Sequence, residues 1–123
     1  MKPESILKRS TTEVIDDHLR RREAGDLEGD LATNYAADVV LLCEHGPMAG
    51  RAGVRKSAER LSEQFPDASF EYPARAIEGE FALLFGNAES SKARARRGVD
   101  SFVVRDGQIV MQSVAYELRA AGA

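Results

Sequence analysis

Two residues with acid–base chemistry stand where polar groups are costly. His18 follows Val14 by four residues and Ile15 by three, so its imidazole lies on the apolar side of the first predicted helix. Imidazole titrates closest to neutral pH of the ordinary side chains, which suits proton transfer. Asp100 lies in the run Gly98–Val104, where its alternation partners Phe102 and Val104 are apolar. A carboxylate on such a face is unfavourable unless it is paired or protonated. Burial raises its pKa, and the neutral acid can then donate a hydrogen bond to an oxyanion forming on a substrate. His18 and Asp100 are therefore candidate catalytic groups. The competing structural readings are a histidine bonded to backbone and an aspartate ion-paired with Arg94, Arg96 or His18. Glu44 is a third catalytic candidate, a base if a bulge turns it inward at the end of the apolar strand Val39–Cys43. Its neighbour Cys43 reads as a buried strand residue, since no basic residue adjoins it to lower its pKa. Tyr116 shares a strand face with Val114 and Leu118, where its ring can wall a pocket or simply fill the core. Lys92, Arg94, Arg96 and Arg97 alternate with Ala93 and Ala95, which suggests solvated charges at strand ends or in a hairpin loop. The sharper alternative is a positive rim that attracts an anionic ligand.

Other chemistries lack their residues. His18 and His45 are the only histidines and Cys43 the only cysteine, so neither a thiolate zinc cluster nor a disulfide is expected, and no metal or cofactor is implied. There is no Gly-rich dinucleotide or phosphate loop and no Gly-x-Ser-x-Gly elbow. A net charge of −3 argues against nucleic-acid binding. The longest apolar runs, Val39–Cys43 and Phe81–Phe85, fall far short of the about 20 residues that cross a bilayer. The first ten residues carry no apolar h-region, which points to a cytoplasmic protein. With 123 residues, 43% hydrophobic, the chain fits one soluble domain burying about 65–70% of its unfolded surface.

The positioning elements follow from periodicity. Residues 4–24 predict a helix with the stripe Val14, Ile15, His18 and Leu19, starting either near Pro3 or at the capping box Ser10–Glu13. The early start is favoured because Leu7 and Thr11 extend the stripe, while Arg20, Arg21, Arg22 and Glu23 fall mostly outside it. Gly25 ends this helix, and Asp26 caps a second one running to about Asn34, with Leu27 and Leu31 inward. Val39–Cys43 is a buried strand, and residues 46–53 form a turn-rich connection. Val54, Ala58, Leu61 and Phe65 give a third helix that stops before Pro66. Residues 69–78, 81–90, 98–105 and 108–119 read as strands, the last two joined by an Asp106-Gly107 hairpin. The expected fold is α+β: three helices across a curved antiparallel sheet, leaving a cavity open at one end.

Several segments together resemble one superfamily. They are Gly25-Asp26-Leu27, Tyr35-Ala36-Ala37-Asp38 before an apolar strand, Gly50-Arg51-Ala52-Gly53-Val54-Arg55 opening a helix, and Asp100 to Ile109. The chain is similar to nuclear transport factor 2-like proteins, and within them to the SnoaL-like polyketide cyclase and ketosteroid isomerase branch, over residues 5–118. The resemblance implies a cone-shaped α+β barrel, commonly a homodimer through its sheet. It implies a pocket lined by Val14, Cys43, Phe102, Val114 and Tyr116, for a small hydrophobic or polyketide- or steroid-like molecule. His18 falls where the isomerases carry an oxyanion-hole tyrosine, and Asp100 matches their protonated aspartate, a mechanism well established for that enzyme. Cys43 falls where they carry the catalytic aspartate, so Glu44 is the remaining base. The implied activity is a cofactor-free isomerase, cyclase or dehydratase. The alternatives are a non-catalytic binding protein for a hydrophobic metabolite and a dimerisation module.

Overall fold

The computed structural model describes residues 3–122, in four helices and seven strands. The predicted first helix is two: α1, Glu4–Leu7, and α2, Thr11–Glu23. The break lies at Ser10, whose hydroxyl accepts from the Glu13 amide at 3.1 Å while its own amide donates to Glu13 Oε1 at 2.9 Å. That reciprocal box satisfies two amides that an unbroken helix would have to bond elsewhere, so the late start prevails. Gly25 takes φ +75°, and Asp26 caps α3, Leu27–Asn34, by accepting from the Gly29 amide at 3.0 Å. α4 spans Gly50–Gln64, four residues longer at its start than its apolar stripe indicates.

The strands are β1 Tyr35–Cys43, β2 Gly46–Ala49, β3 Ser69–Glu78, β4 Phe81–Glu89, β5 Ala93–Arg105, β6 Gln108–Ala115 and β7 Arg119–Ala120. Their order is β2-β1-β6-β5-β4-β3, with β7 beside the start of β5. β3 to β6 form the expected antiparallel meander. The sheet as a whole is mixed, however, because β1 runs parallel to β6. The glycine- and proline-punctuated segment also holds β2, which pairs back on β1. β5 begins at Ala93, so the basic stretch is strand: Ala93 and Ala95 are buried, whereas the Arg96 side chain is 54% exposed.

Pairing fixes which side chains share the face under the helices. Leu84 opposes Asp100, and Asp100 opposes Val114, so all three point the same way. Val14, Ile15, Leu31, Val39, Leu84, Phe102 and Ile109 form the main core between helices and sheet. A second cluster of Phe65, Ala88, Ala93 and Ala95 closes the sheet against the end of α4. Among the described residues, no helix is long and apolar enough to cross a membrane.

Candidate functional site

α2 buries Thr11, Val14, Ile15 and His18 at three- and four-residue spacing, and Arg22 continues that stripe one turn on. α3 presents Asp30, Leu31 and Asn34 inward in the same manner. The two stripes meet at Asp30, which has no solvent exposure. Its Oδ2 accepts from His18 Nδ1 at 2.8 Å and Arg22 Nε at 2.6 Å, and its Oδ1 from Asn34 Nδ2 at 2.8 Å. Burial pushes this carboxyl up, but His18, Arg22 and Asn34 overcome burial and hold it below the usual range. With Asp30 ionised, Nδ1 of His18 is the protonated nitrogen and Nε2 is left for other work. Tyr35 and Phe102 fix the imidazole edge-on, with ring centroids 5.8 and 5.6 Å away.

Asp100 faces this hub from the sheet. No cation lies within ion-pair distance of it among the described residues, so the expected pairing with Arg94, Arg96 or His18 does not occur. Burial raises its pKa to about 7, against the weaker opposite pull of the Arg22 guanidinium. Near neutrality its carboxyl therefore exists in both protonation states. Tyr72 stands near it, with a pKa pushed to about 12 by burial and by the Asp100 charge. Burial raises Tyr35 further still, and its hydroxyl donates to Gln112 Oε1 at 2.5 Å.

His18, Arg22, Tyr72, Asp100 and Gln112 all line one cavity of about 880 Å³. That volume lies in the range that encloses small organic ligands. Its apolar walls come from Leu61 of α4, Phe65 just past its end, Phe70 of β3 and Val114 of β6. Gly86 and Gly98 are paired across β4 and β5 and also line the cavity. A Cβ on Gly86 would stand 3.1 Å from the Tyr72 ring, and one on Gly98 would stand 3.3 Å from Tyr116 Cβ. The glycine pair thus lets two tyrosines lean over the sheet.

The predicted site residues divide. His18, Asp100, Val114 and Tyr116 share the cavity, whereas Val14 and Phe102 are 0% and 2% exposed and belong to the core behind it. Glu44 is not turned inward. It sits in the β1–β2 turn with its side chain 78% exposed, 3.6 Å from His45 Nε2, because the strand ends at Cys43 without a bulge there. Cys43 lines a smaller recess of about 90 Å³, where its thiol faces the Gly46 carbonyl at 3.7 Å. Asp30, Arg22, Tyr72 and Gln112 were not singled out by sequence. A signal existed for two of them: residues 27, 30, 31 and 34, like 11, 14, 15, 18 and 22, follow the helical period. No group of three or more potential metal-ligating side chains occurs among the described residues.

The SnoaL-like domain family matches residues 15–112. No curated protein matches the sequence. Solved structures share the fold at low identity. TerC, co-crystallised with polyporic acid, superposes with a TM-score of 0.74 at 18% identity, covering 87% of this chain and 91% of its own. A candidate ketosteroid isomerase from Kribbella flavida gives 0.71 at 19% identity, covering 92% and 81%. A candidate SnoaL-like polyketide cyclase from Mesorhizobium loti gives 0.65 at 16% identity, covering 88% and 100%. Neighbours of this kind place the chain in the nuclear transport factor 2-like fold and carry nothing about its reaction.

Proposed function

This chain belongs to the SnoaL-like family, and we propose that its cavity holds a small hydrophobic carbonyl or hydroxyl compound and moves a proton on it without a cofactor. One observation carries this reading: an unpaired carboxyl with a pKa of about 7 on the wall of a ligand-sized cavity, opposite a guanidinium. At that pKa the carboxylate takes a proton from a weakly acidic C–H or O–H, and the acid returns it to another atom of the same molecule. Arg22 spends its Nε on Asp30 and keeps further N–H donors at the end of its guanidinium, beside the Tyr35 hydroxyl. Those donors suit the negative charge that grows on the substrate oxygen as the proton leaves. His18, its Nδ1 held by Asp30, offers Nε2 as a second proton carrier. Return of the proton to a different carbon gives an isomerisation. Attack of the carbanion on a carbonyl carbon of the same molecule, with the proton passing to that carbonyl's oxygen, gives a cyclisation. Its return to a β-hydroxyl, whose C–O bond breaks as the C=C forms, releases water. That TerC, of the same fold, was co-crystallised with polyporic acid is in keeping with such a ligand.

A screen of cyclic ketones and polyketide-like phenols by thermal shift, followed by product analysis, tests the reading. Once a substrate is found, Asp100→Asn lowers turnover about 10²–10⁴-fold. Unchanged turnover in that variant would sink the assignment. A second reading, binding without catalysis, draws on the position of Glu44: the carboxylate expected from sequence to act as base stays outside the cavity. Ligand stabilisation without any product would favour it.

The same reading pairs two copies through the face of the sheet opposite the cavity. Val40, Met111, Val103 and Phe81 form one cross-strand row there, and Phe81 is 62% exposed. Apolar rows of this kind mark association surfaces. Phe81→Lys halves the sedimenting mass of a dimer held there, and a mass unaffected by the change removes this interface.

A further inference from the structure

Next to the large cavity lies the recess of about 90 Å³, lined by Cys43, Glu44, His45, Ser57, Arg60, Val114, Ala115 and Tyr116. Ser57, Val114, Ala115 and Tyr116 line both spaces, so the two share a wall. Ser57 and Arg60 are three residues apart on α4 and therefore project from one side of the helix. Arg60 is half-buried, and among the described residues no hydrogen bond or ion pair engages its guanidinium. Its charge is felt at the Tyr116 hydroxyl, where it offsets part of the upward push of burial and Glu44. Glu44, the opposing charge at the recess, acts on that hydroxyl more strongly than Arg60 does, but its side chain is 78% exposed beside His45 and lies at the solvent rim. What the recess offers inward is thus a guanidinium and the Ser57 hydroxyl.

We propose that this recess is a second binding subsite, which takes an anionic substituent, a carboxylate foremost, on the same molecule whose carbonyl or hydroxyl meets Asp100. The inference rests on the cavity binding a small molecule, and it adds that the molecule is polar at both ends. Spacing supports one ligand reaching both. Asp100 opposes Val114, and Tyr116, one residue past the end of β6, stands against Gly98, two residues before Asp100 on β5. Such diagonal positions are about 7–8 Å apart, the reach of a two-ring aromatic frame. The recess volume suits a single planar anion. An unpaired arginine is the side chain best shaped to hold a carboxylate by two parallel N–H bonds.

Calorimetric titration of the full chain at pH 7.5 with 2-naphthol and with 6-hydroxy-2-naphthoate tests this directly. The two probes share the hydroxyl end and differ only in the carboxylate. We expect 6-hydroxy-2-naphthoate to bind about tenfold more tightly, a preference that Arg60→Met abolishes and Arg60→Lys partly keeps, with 2-naphthol affinity the same in all three proteins. Equal affinity of the two probes for the unaltered protein overturns the subsite while leaving the cavity reading intact. A preference that survives Arg60→Met also overturns it, since the carboxylate must then be held elsewhere, such as at Arg22. If neither probe binds, the cavity reading itself falls and the subsite with it.

Discussion

Asp30 and Asp100 are both withdrawn from bulk water on facing walls, and their carboxyls move in opposite directions. Asp30, on the helix side, is wholly buried yet ionises more readily than a free aspartate, because three side chains donate to it. Asp100, on the sheet side, is only half-buried, yet burial makes it hold its proton to about pH 7, because among the described residues no group donates to it to offset that push. Depth alone therefore does not decide the charge of a carboxyl; the count of donors does. The helix wall is built to fix geometry, and the sheet wall is left chemically unfinished, with room for a ligand to complete it.

The largest effect should come from removing the finished side. Asp30→Ala leaves the half-buried Arg22 without its ion-pair partner, His18 Nδ1 without its acceptor and Asn34 with Asp17 alone, and should cost about 3–5 kcal/mol in urea unfolding. Asp100→Asn should act in the opposite sense. A carboxyl whose pKa is raised on folding binds its proton more tightly in the folded chain. Its contribution to stability is therefore full below about pH 4 and is lost as pH climbs towards about 7. Asparagine removes that loss, so the variant should be more stable at pH 8 by about 1–3 kcal/mol, allowing for the carboxyl's access to cavity water. If Asp100→Asn were destabilising at pH 8, the contrast between the two walls would be broken. The smallest effect belongs to Asp17, next to the hub. Burial raises its pKa, but Arg21, Asn34 and Arg20 bring it down to about 2. Its stabilisation is present above about pH 4 and disappears as pH falls towards 2. Asp17→Asn should thus flatten the acid limb of a stability–pH curve by about 1–2 kcal/mol and leave the limb between pH 5 and 8 untouched.

Legibility followed locality. The Ser10 box, the Asp26 cap and the Asp106-Gly107 hairpin were readable because each is complete within four residues. The hairpin shows the positive φ values its turn type requires, +50° and +73°. β1 starts four residues before its apolar run because Ala36, Ala37 and Asp38 have little strand preference and are held there by tertiary structure. The parallel partnership of β1 and β6 joins residues more than seventy positions apart, and no local pattern announces it. In the site, His18 and Asp100 were visible because each is polar among apolar neighbours of its own element. Asp30 and Arg22 were obscured because they lie in charged stretches, Asp26–Asp30 and Arg20–Glu23, where only the helical period separates an inward residue from an outward one. Tyr72 gave no signal, since it lies on an edge strand beside Pro73 and reaches Asp100 only through the curvature of the sheet.

The opposed glycines Gly86 and Gly98 give the cavity a built-in length stop that can be moved. Neither takes the left-handed backbone, so an alanine there meets side-chain contacts and no torsional strain. Adding one methyl group at either position would press Tyr72 or Tyr116 inward and shorten the chamber, while Asp100, Arg22 and His18 kept their places. The fold thereby separates what it does to a molecule from how large a molecule it admits. Ligand length can drift by single substitutions on one wall with the proton chemistry conserved on the others.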